Sequence, residues 1–319
     1  MLSGVLAALG AGLLWGLVFV TPLLLPDYPG TMLSFGRYIA FGLIALIPAW
    51  LDRKRIRSLR QQDWLAAFKL ALVGNIIYYA ALASAIQLAD APLPTMLIGT
   101  LPVVIAICSN WSPHQLSERI AWNRLLLPLL IIFIGLMLVN SAELRNLSAG
   151  RSLSNYIQGG FLTLVAVAAW TWYPIMNSRY MKVSTHISST TWATVQGLAT
   201  LPLALAGLAL FGLFSGLSGS AGAGSYAFPL GPQPEKFISI MLLLGILASW
   251  LGTLLWNHAS QKLPTGLVGS LIVFETLAAL LYTFLFRGVW PEPQVLAGVG
   301  LLCVGVAFAV RVFQPVRHG

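Results

Sequence analysis

The sequence predicts an all-α membrane protein of ten transmembrane helices, built as two inverted five-helix repeats with both termini in the cytoplasm. Three observations carry this expectation: an apolar composition, ten apolar stretches of spanning length, and a one-sided distribution of Lys and Arg. Of the 319 residues, 58% are hydrophobic and 8% are charged, with a mean hydropathy of +0.83. A soluble domain carries roughly 25% charged residues, so this chain has too little charge to coat a globule in water. The net charge of +9 would suggest nucleic acid on a soluble protein. Here the placement of the basic residues speaks against it.

A membrane-spanning helix needs about 20 apolar residues. The stretches that qualify are 2–25, 32–51, 64–86, 91–111, 121–140, 156–180, 188–217, 237–261, 264–286 and 294–312. The first, "MLSGVLAALGAGLLWGLVFVTPLLL", has no basic leader and is long enough to span, so it reads as a retained helix rather than a cleaved signal. Its Gly12 and Gly16 form a GxxxG pair, which allows close helix contact; Gly266 and Ser270 form a similar pair in the ninth. Pro102, Pro128, Pro174 and Pro202 are expected to interrupt helices 4 to 7. Breaker-rich segments separate the stretches: "PDYPG", "DAPLP", "SPHQLSE" and "RGVWPEP". The Gly, Ser and Pro-rich loop 218–236 is expected to be flexible and outside the bilayer.

Counting basic residues in the connections sets the orientation. One side collects Arg53, Lys54, Arg55, Arg57, Arg60, Arg119, Arg124, Arg179, Lys182, Lys262, Arg311 and Arg317; the other has Arg145, Arg151, Lys236 and Arg287. The richer side is the cytoplasmic one, which places both termini inside. The charge is therefore a topology signal. The cluster "DRKRIRSLR" at 52–60 serves as an orientation anchor or touches anionic lipid heads.

The two halves align in order. Trp15 of "LLWGLVFV" matches Trp170 of "AAWTWYPI". Residues 81–102 align without a gap to 255–276, pairing Ala85 with Ala259 and Gln87 with Gln261. A repeat of five helices reverses its direction in the membrane, and inverted repeats belong to secondary transporters, with the site near the midplane. The expected division is 1–142 for the first repeat, 143–155 for a connecting loop, and 156–319 for the second.

At midplane depth, helical spacing groups aromatics with amides. Asn75, Tyr78 and Tyr79 share a face of helix 3. Trp170, Tyr173 and Asn177 share a face of helix 6. Trp250, Thr253, Asn257 and Gln261 make a stripe on helix 8, with His258 at its edge. Together with Trp15, these residues either pack and tie helix to helix or line a pocket for a flat amphipathic molecule. The expected substrate-binding set is Trp15, Asn75, Tyr78, Tyr79, Trp170, Tyr173, Trp250 and Asn257.

Glu275 is the one charge in the ninth stretch, and an acid at mid-helix costs about 2.5 to 3.5 kcal/mol on insertion scales. Three roles fit it: a coupling proton carrier, a partner for a substrate ammonium, or a structural acceptor for neighbouring polar groups. Arg37 either reaches an interface by extending its stem or serves as a gate or ion-pair partner. Lys69 reads as snorkelling. His258 is either a packing residue or a proton relay.

The chain resembles the drug/metabolite transporter superfamily, in particular its EamA-type members, along nearly its whole length. The matching residues are "LLWG" in helix 1, "SFGRYIAFGLIAL" around Arg37, the helix 6 Trp followed by "NSRY", "LWNHASQKLP", and "VFET" in helix 9. Thr276 stands where such proteins often have a proline after the glutamate, so a proline kink is not expected there. Within the superfamily, "AWTWYPIMNSRY", "LWNHAS" and "VGSLIV" are most similar to the YddG-type exporters of aromatic amino acids. A carboxylate is usual at the position of Glu275 across many substrates of the family, which implies a shared role.

The expected function is thus export of small amphipathic metabolites, amino acids including aromatic ones first, across the inner membrane by alternating access. The alternatives are a broad exporter of nucleobases, sugars or cationic drugs, a non-transporting signalling bundle, or a channel. No enzyme is expected: the chain shows no Ser-His-Asp or Cys-His set and no phosphate-cradling loop. Its dispersed histidines and the two cysteines, Cys108 and Cys303, give no metal spacing or disulfide framework. No cofactor or metal is expected. The expected partners are membrane lipids and a small-molecule substrate, with no nucleic acid, and the chain acts as a monomer or weak homo-oligomer.

Overall fold

In a hydrocarbon environment each backbone N–H and C=O needs a partner within the protein, and a helix supplies it within one segment. A computed structural model of the protein describes residues 1–89, 92–111, 121–145, 152–217, 228–288 and 290–312, and among these the chain is helical, with no strand. The first half contains α1 (Leu2–Leu24), α2 (Gly30–Leu51), the short α3 (Arg53–Arg57), α4 (Gln61–Leu70), α5 (Tyr78–Ala89), α6 (Pro92–Gly99), α7 (Leu101–Trp111) and α8 (Trp122–Arg145). The second contains α9 (Leu153–Val183), α10 (Ser189–Leu217), α11 (Pro234–Leu244), α12 (Gly252–Lys262), α13 (Thr265–Leu271), α14 (Val273–Arg287) and α15 (Pro293–Val312). Among the described residues, seven runs are long and apolar enough to cross a membrane: Leu2–Leu24, Gly30–Leu51, Gln61–Ala89, Leu153–Val183, Ser189–Phe214, Pro234–Lys262 and Thr265–Phe286. Leu101–Trp111, Trp122–Leu138 and Pro293–Ala309 are shorter apolar helices. The loop "SPHQLSE", residues 218–227 of the Gly/Ser/Pro-rich loop, and Arg119, Arg151 and Arg317 lie outside the described residues.

Of the four prolines expected to interrupt helices, Pro102 stands beside a break, the one between α6 and α7 at Thr100, and the others do not. The sequence leads one to expect interruptions at Pro128, Pro174 and Pro202, but α8, α9 and α10 run straight through them. In a bundle, neighbouring groups can satisfy the carbonyl that a proline frees. The other irregularities lie elsewhere. A π-helical turn, Ala71–Ile77, joins α4 to α5, and another, Gly245–Leu251, joins α11 to α12. These two turns are separated by the same distance in the chain as the aligned pairs Ala85/Ala259 and Gln87/Gln261. The ninth stretch, expected as one helix, divides at Ile272 into α13 and α14. The hydrogen bonds there tighten to three-residue spacing, from Ile272 N–H to the Gly269 carbonyl and from Glu275 N–H to the Ile272 carbonyl.

Packing follows a pattern that shifting the helix order by half a chain maps onto itself. α8 lies along α15 and α2 along α10. α1 packs on α12 and α14, while α9 packs on α5 and on α6 and α7; α7 also meets α13. Small residues permit the close approaches. A Cβ at Gly4 would meet the Leu263 side chain at 2.9 Å, and at the aligned place one at Gly159 would meet Ala89 Cβ at 2.4 Å. Gly12 and Gly16 seat α1 directly on α14: a Cβ at Gly16 would sit 2.6 Å from Ala278 Cβ, and one at Gly12 would sit 3.0 Å from the Glu275 nitrogen.

Both ends of the bundle are closed by polar contacts. At one end, where α2 finishes and α4 begins, Thr191 Oγ1 donates to Asp52 at 2.7 Å. There the Tyr180 hydroxyl also donates to Asp63, and Tyr180 stacks on Trp192 at 4.3 Å. At the other end, about 30 Å along α2, the Tyr28 hydroxyl donates to the Leu230 carbonyl at 2.8 Å and accepts from Gln233 N–H at 2.9 Å. The Tyr28 ring stacks on Phe237 at 4.7 Å. The aligned glutamines hold the two connections. Gln87 bridges the Tyr28 carbonyl and Gly30 N–H, and Gln261 bridges the Ile187 carbonyl and the Ser189 hydroxyl.

Candidate functional site

Between the two closures lies a small cavity of about 10 Å³ lined by Trp15, Val18, Arg37, Tyr38, Phe41, Asn75, Tyr78, Trp170, Tyr173, Ser249, Thr253 and Glu275. That is room for about one water. Each helix reaches it for a local reason. α1 brings Trp15 inward because the glycine pair lets it lie against α14. The Trp15 indole N–H donates to the Ala248 carbonyl at 2.8 Å; that residue belongs to the π turn, whose irregular backbone presents a carbonyl to an inner side chain. Asn75 lies within the π turn Ala71–Ile77 and Tyr78 directly follows it, and both stand on the cavity wall. Gly74 makes this possible, since a Cβ there would fall 2.2 Å from the Tyr173 ring.

The aromatic side of the cavity is a continuous stack. Trp170 lies parallel to Tyr78 at 4.3 Å and to Tyr173 at 5.0 Å. It meets Trp15 edge-on at 5.2 Å, and Trp15 touches Trp256 at 5.0 Å. Offset and edge-to-face pairs at such distances add about 0.5 to 1.5 kcal/mol each beyond area burial.

The polar side carries one basic and one acidic side chain. Arg37 is buried, donates through Nε to Ser249 at 3.0 Å, and lies over the rings of Tyr38 at 4.9 Å and Tyr79 at 5.0 Å. It is therefore an internal residue, held by a hydroxyl and two ring faces. Glu275 is 4% exposed and stands in the first turn of α14, just after the tightened turn at Ile272. The acid thus lies in mid-span, as expected, beside a local tightening of the helix. Its Oε2 has no hydrogen-bond partner, and neither has the Trp170 indole N–H. Leaving a buried polar atom unpaired costs about 1 to 3 kcal/mol. One unpaired acceptor and one unpaired donor therefore line the same cavity.

The structure separates the other sequence candidates from this cavity. Tyr79 is buried beside it, under Arg37, with its hydroxyl 3.4 Å from the Val18 carbonyl. Trp250, expected on the stripe with Thr253 and Asn257, is turned away by the π turn and is half-buried, its indole N–H 3.4 Å from Thr194 Oγ1. Asn257 belongs to a closed network of buried side chains. It donates to Gln196 at 3.1 Å and accepts from Asn177 at 2.9 Å. Asn177 Oδ1 takes the Trp192 indole N–H at 2.9 Å. Gln196 also donates to the Tyr173 hydroxyl at 3.2 Å, which connects the network to the cavity wall. His258 sits away from the cavity, 3.5 Å from the Ser3 hydroxyl. Residues that sequence reasoning passed over are Tyr38, Phe41 and Ser249 on the wall and Gln196 behind it. Gln196, a lone amide inside the apolar seventh stretch, was the signal present for the last.

The comparisons with known proteins agree with this architecture. Residues 2–141 match the EamA-like transporter family. The inner membrane protein YtfF of Escherichia coli (strain K12) is 48% identical over 313 residues, covering 98% of this chain and 96% of the relative. A solved crystal structure superposes with a TM-score of 0.72, covering 97% of this chain and 98% of that one at 18% identity, a likeness of fold. The chain belongs to the EamA-like transporter family.

Proposed function

We propose that the protein is a secondary transporter of the inner membrane that exports small amphipathic metabolites by alternating access, amino acids including aromatic ones first. The observation that carries this reading is the central cavity. It sets a cation, a carboxylate and a wall of stacked rings around one point, with an unpaired donor on Trp170 and an unpaired acceptor on Glu275. A zwitterion with a flat side chain complements all of these at once: its ammonium faces Glu275, its carboxylate faces Arg37 and the Trp170 indole, and its ring joins the stack. A cavity the size of one water is closed around its contents, so loading requires the walls to part. Closure by hydrogen-bonded contacts at both ends suits a site opened from one side at a time.

The family name and the inner membrane relative support a transporter rather than an enzyme. The matched π turns, glutamine bridges and glycine contacts support ten spans in two inverted repeats, residues 1–142 and 156–319, joined by 143–155. The basic cluster at 52–60 supports placing both termini in the cytoplasm. Of the sequence candidates, Trp15, Asn75, Tyr78, Trp170 and Tyr173 form the binding wall. Tyr79 supports Arg37, Asn257 anchors the helices, and Trp250 and His258 are packing residues.

The test is uptake of labelled aromatic amino acid into proteoliposomes, with and without a pH gradient. Flux above that of empty vesicles is expected. No excess flux, with retained flux of a nucleobase or a cationic drug in the same vesicles, would favour the broad-exporter reading instead.

A further inference from the structure

A second cavity of about 320 Å³ opens on the flank of the bundle between α4 and the last turns of α9. Its walls are Leu70, Trp172, Met176 and Val183, and its rim carries Lys69, Arg179 and Tyr180. Lys69 and Arg179 are exposed, and neither has an ion-pair partner among the described residues. The acid on the same helix, Asp63, is already occupied: it accepts the Arg60 backbone N–H at 2.7 Å and the Tyr180 hydroxyl. An apolar slot with two uncompensated cations at its mouth, on a flank where Leu65, Phe68 and Val183 are exposed, matches one chemistry: an acyl chain ending in an anionic phosphodiester. The groove between α2, α10 and α11 provides the contrast. It is of similar size, about 380 Å³, and is lined by Leu, Ile, Met, Phe, Ala, Gly and Pro with no charged side chain.

We propose that the α4–α9 groove is a specific binding site for an anionic glycerophospholipid, with the phosphate held between Lys69 and Arg179 and an acyl chain along Leu70, Trp172 and Met176. Basic pockets between membrane helices select anionic head groups by this combination of charge and apolar wall. The lipid bridges α4 and α9, two elements that also meet through Asp63 and Tyr180. The site is independent of the central cavity and of what it carries.

The experiment uses the purified full chain in neutral detergent, with native mass spectrometry and thermal unfolding as readouts. Added phosphatidylglycerol is expected to persist as an adduct and to raise Tm by several degrees, as a ligand of the folded state does. Phosphatidylcholine with the same chains and inorganic phosphate are expected to do neither. The double variant Lys69→Gln/Arg179→Gln is expected to bind phosphatidylglycerol about tenfold to thirtyfold more weakly. Arg53→Gln/Lys54→Gln, on the nearby basic cluster, should leave that affinity unchanged. Equal binding of phosphatidylcholine by the wild type overturns the proposal, and so does an unchanged phosphatidylglycerol affinity in the Lys69/Arg179 variant. The lipid comparison on the wild type decides the matter even if the variant does not fold.

Discussion

Two tryptophans at matched positions differ by one hydrogen bond. Trp15 donates to the Ala248 carbonyl, whereas Trp170 donates to nothing. Trp15→Phe should therefore cost stability of about 1 to 2 kcal/mol, because it strands a carbonyl inside the bundle. Trp170→Phe keeps both stacked contacts and removes an unpaired donor, so stability should hold or rise slightly. If the donor serves a ligand, the same change should weaken substrate affinity about tenfold. Thermal unfolding and substrate competition, measured on both variants, distinguish the two. A Trp170→Phe protein with unchanged affinity would assign that indole to packing.

Glu275 repeats the logic with a charge. It lies in the first turn of α14 with one oxygen unpaired, in the same cavity as Arg37. Glu275→Gln preserves size and most bonding but cannot exchange a proton or hold a cation. It is expected to fold, with Tm within a few degrees of wild type, and to lose at least about tenfold in flux together with the response to a pH gradient. A variant that transports normally but unfolds easily would make the carboxylate a structural acceptor.

At the scale of elements, bundle stability rests on close backbone approach and on one buried polar network. Gly16→Ala places a methyl group 2.6 Å from Ala278 Cβ, so α1 and α14 must separate. The expected cost is about 1 to 3 kcal/mol. Gly300→Ala on α15 meets nothing within 4 Å and should be neutral or slightly stabilising. Unfolding in a detergent titration compares the pair directly. Asn257→Ala should cost as much as Gly16→Ala or more, since it leaves buried groups of Gln196 and Asn177 without their partners.

At the scale of the whole molecule, the two glutamine bridges sit at opposite ends of the bundle. Gln87 ties the α1–α2 connection, and Gln261 ties the α9–α10 connection. If the ends open alternately, releasing one should favour the state open at that end. In a background with Cys108 and Cys303 replaced by Ala, a reporter at Thr253→Cys lies on the cavity wall. Gln87→Ala is expected to speed its labelling by an impermeant reagent severalfold from the side of Tyr28, and Gln261→Ala from the side of Tyr180. Acceleration from the same side in both variants would contradict opposed closures.

The sequence by itself determined the class of protein, because too little charge and runs of apolar residues leave a membrane as the only solvent in which the chain can bury its backbone. Local pattern also made the aligned pairs legible, since residues such as Gln87 and Gln261 need no coordinates to be seen. Trp15, Asn75, Tyr78, Trp170 and Tyr173 were readable on the cavity wall from depth and helical spacing, Asn75 even from within a π turn. At the second π turn the same spacing misplaced Trp250. The π turns moved Trp250 off the wall and brought Ser249 to Arg37, and no residue in "ALVGNII" or "GILASWL" announces a wider turn. The tightened turn at Ile272, just before Glu275, was likewise not announced, since the residues around it read as one unbroken apolar run. Pro102 announced the break at Thr100, whereas Pro128, Pro174 and Pro202 announced breaks that α8, α9 and α10 do not show. Only the tertiary structure could decide these points, because a membrane helix bends according to which partner can take up each freed carbonyl, and that partner belongs to another segment of the chain.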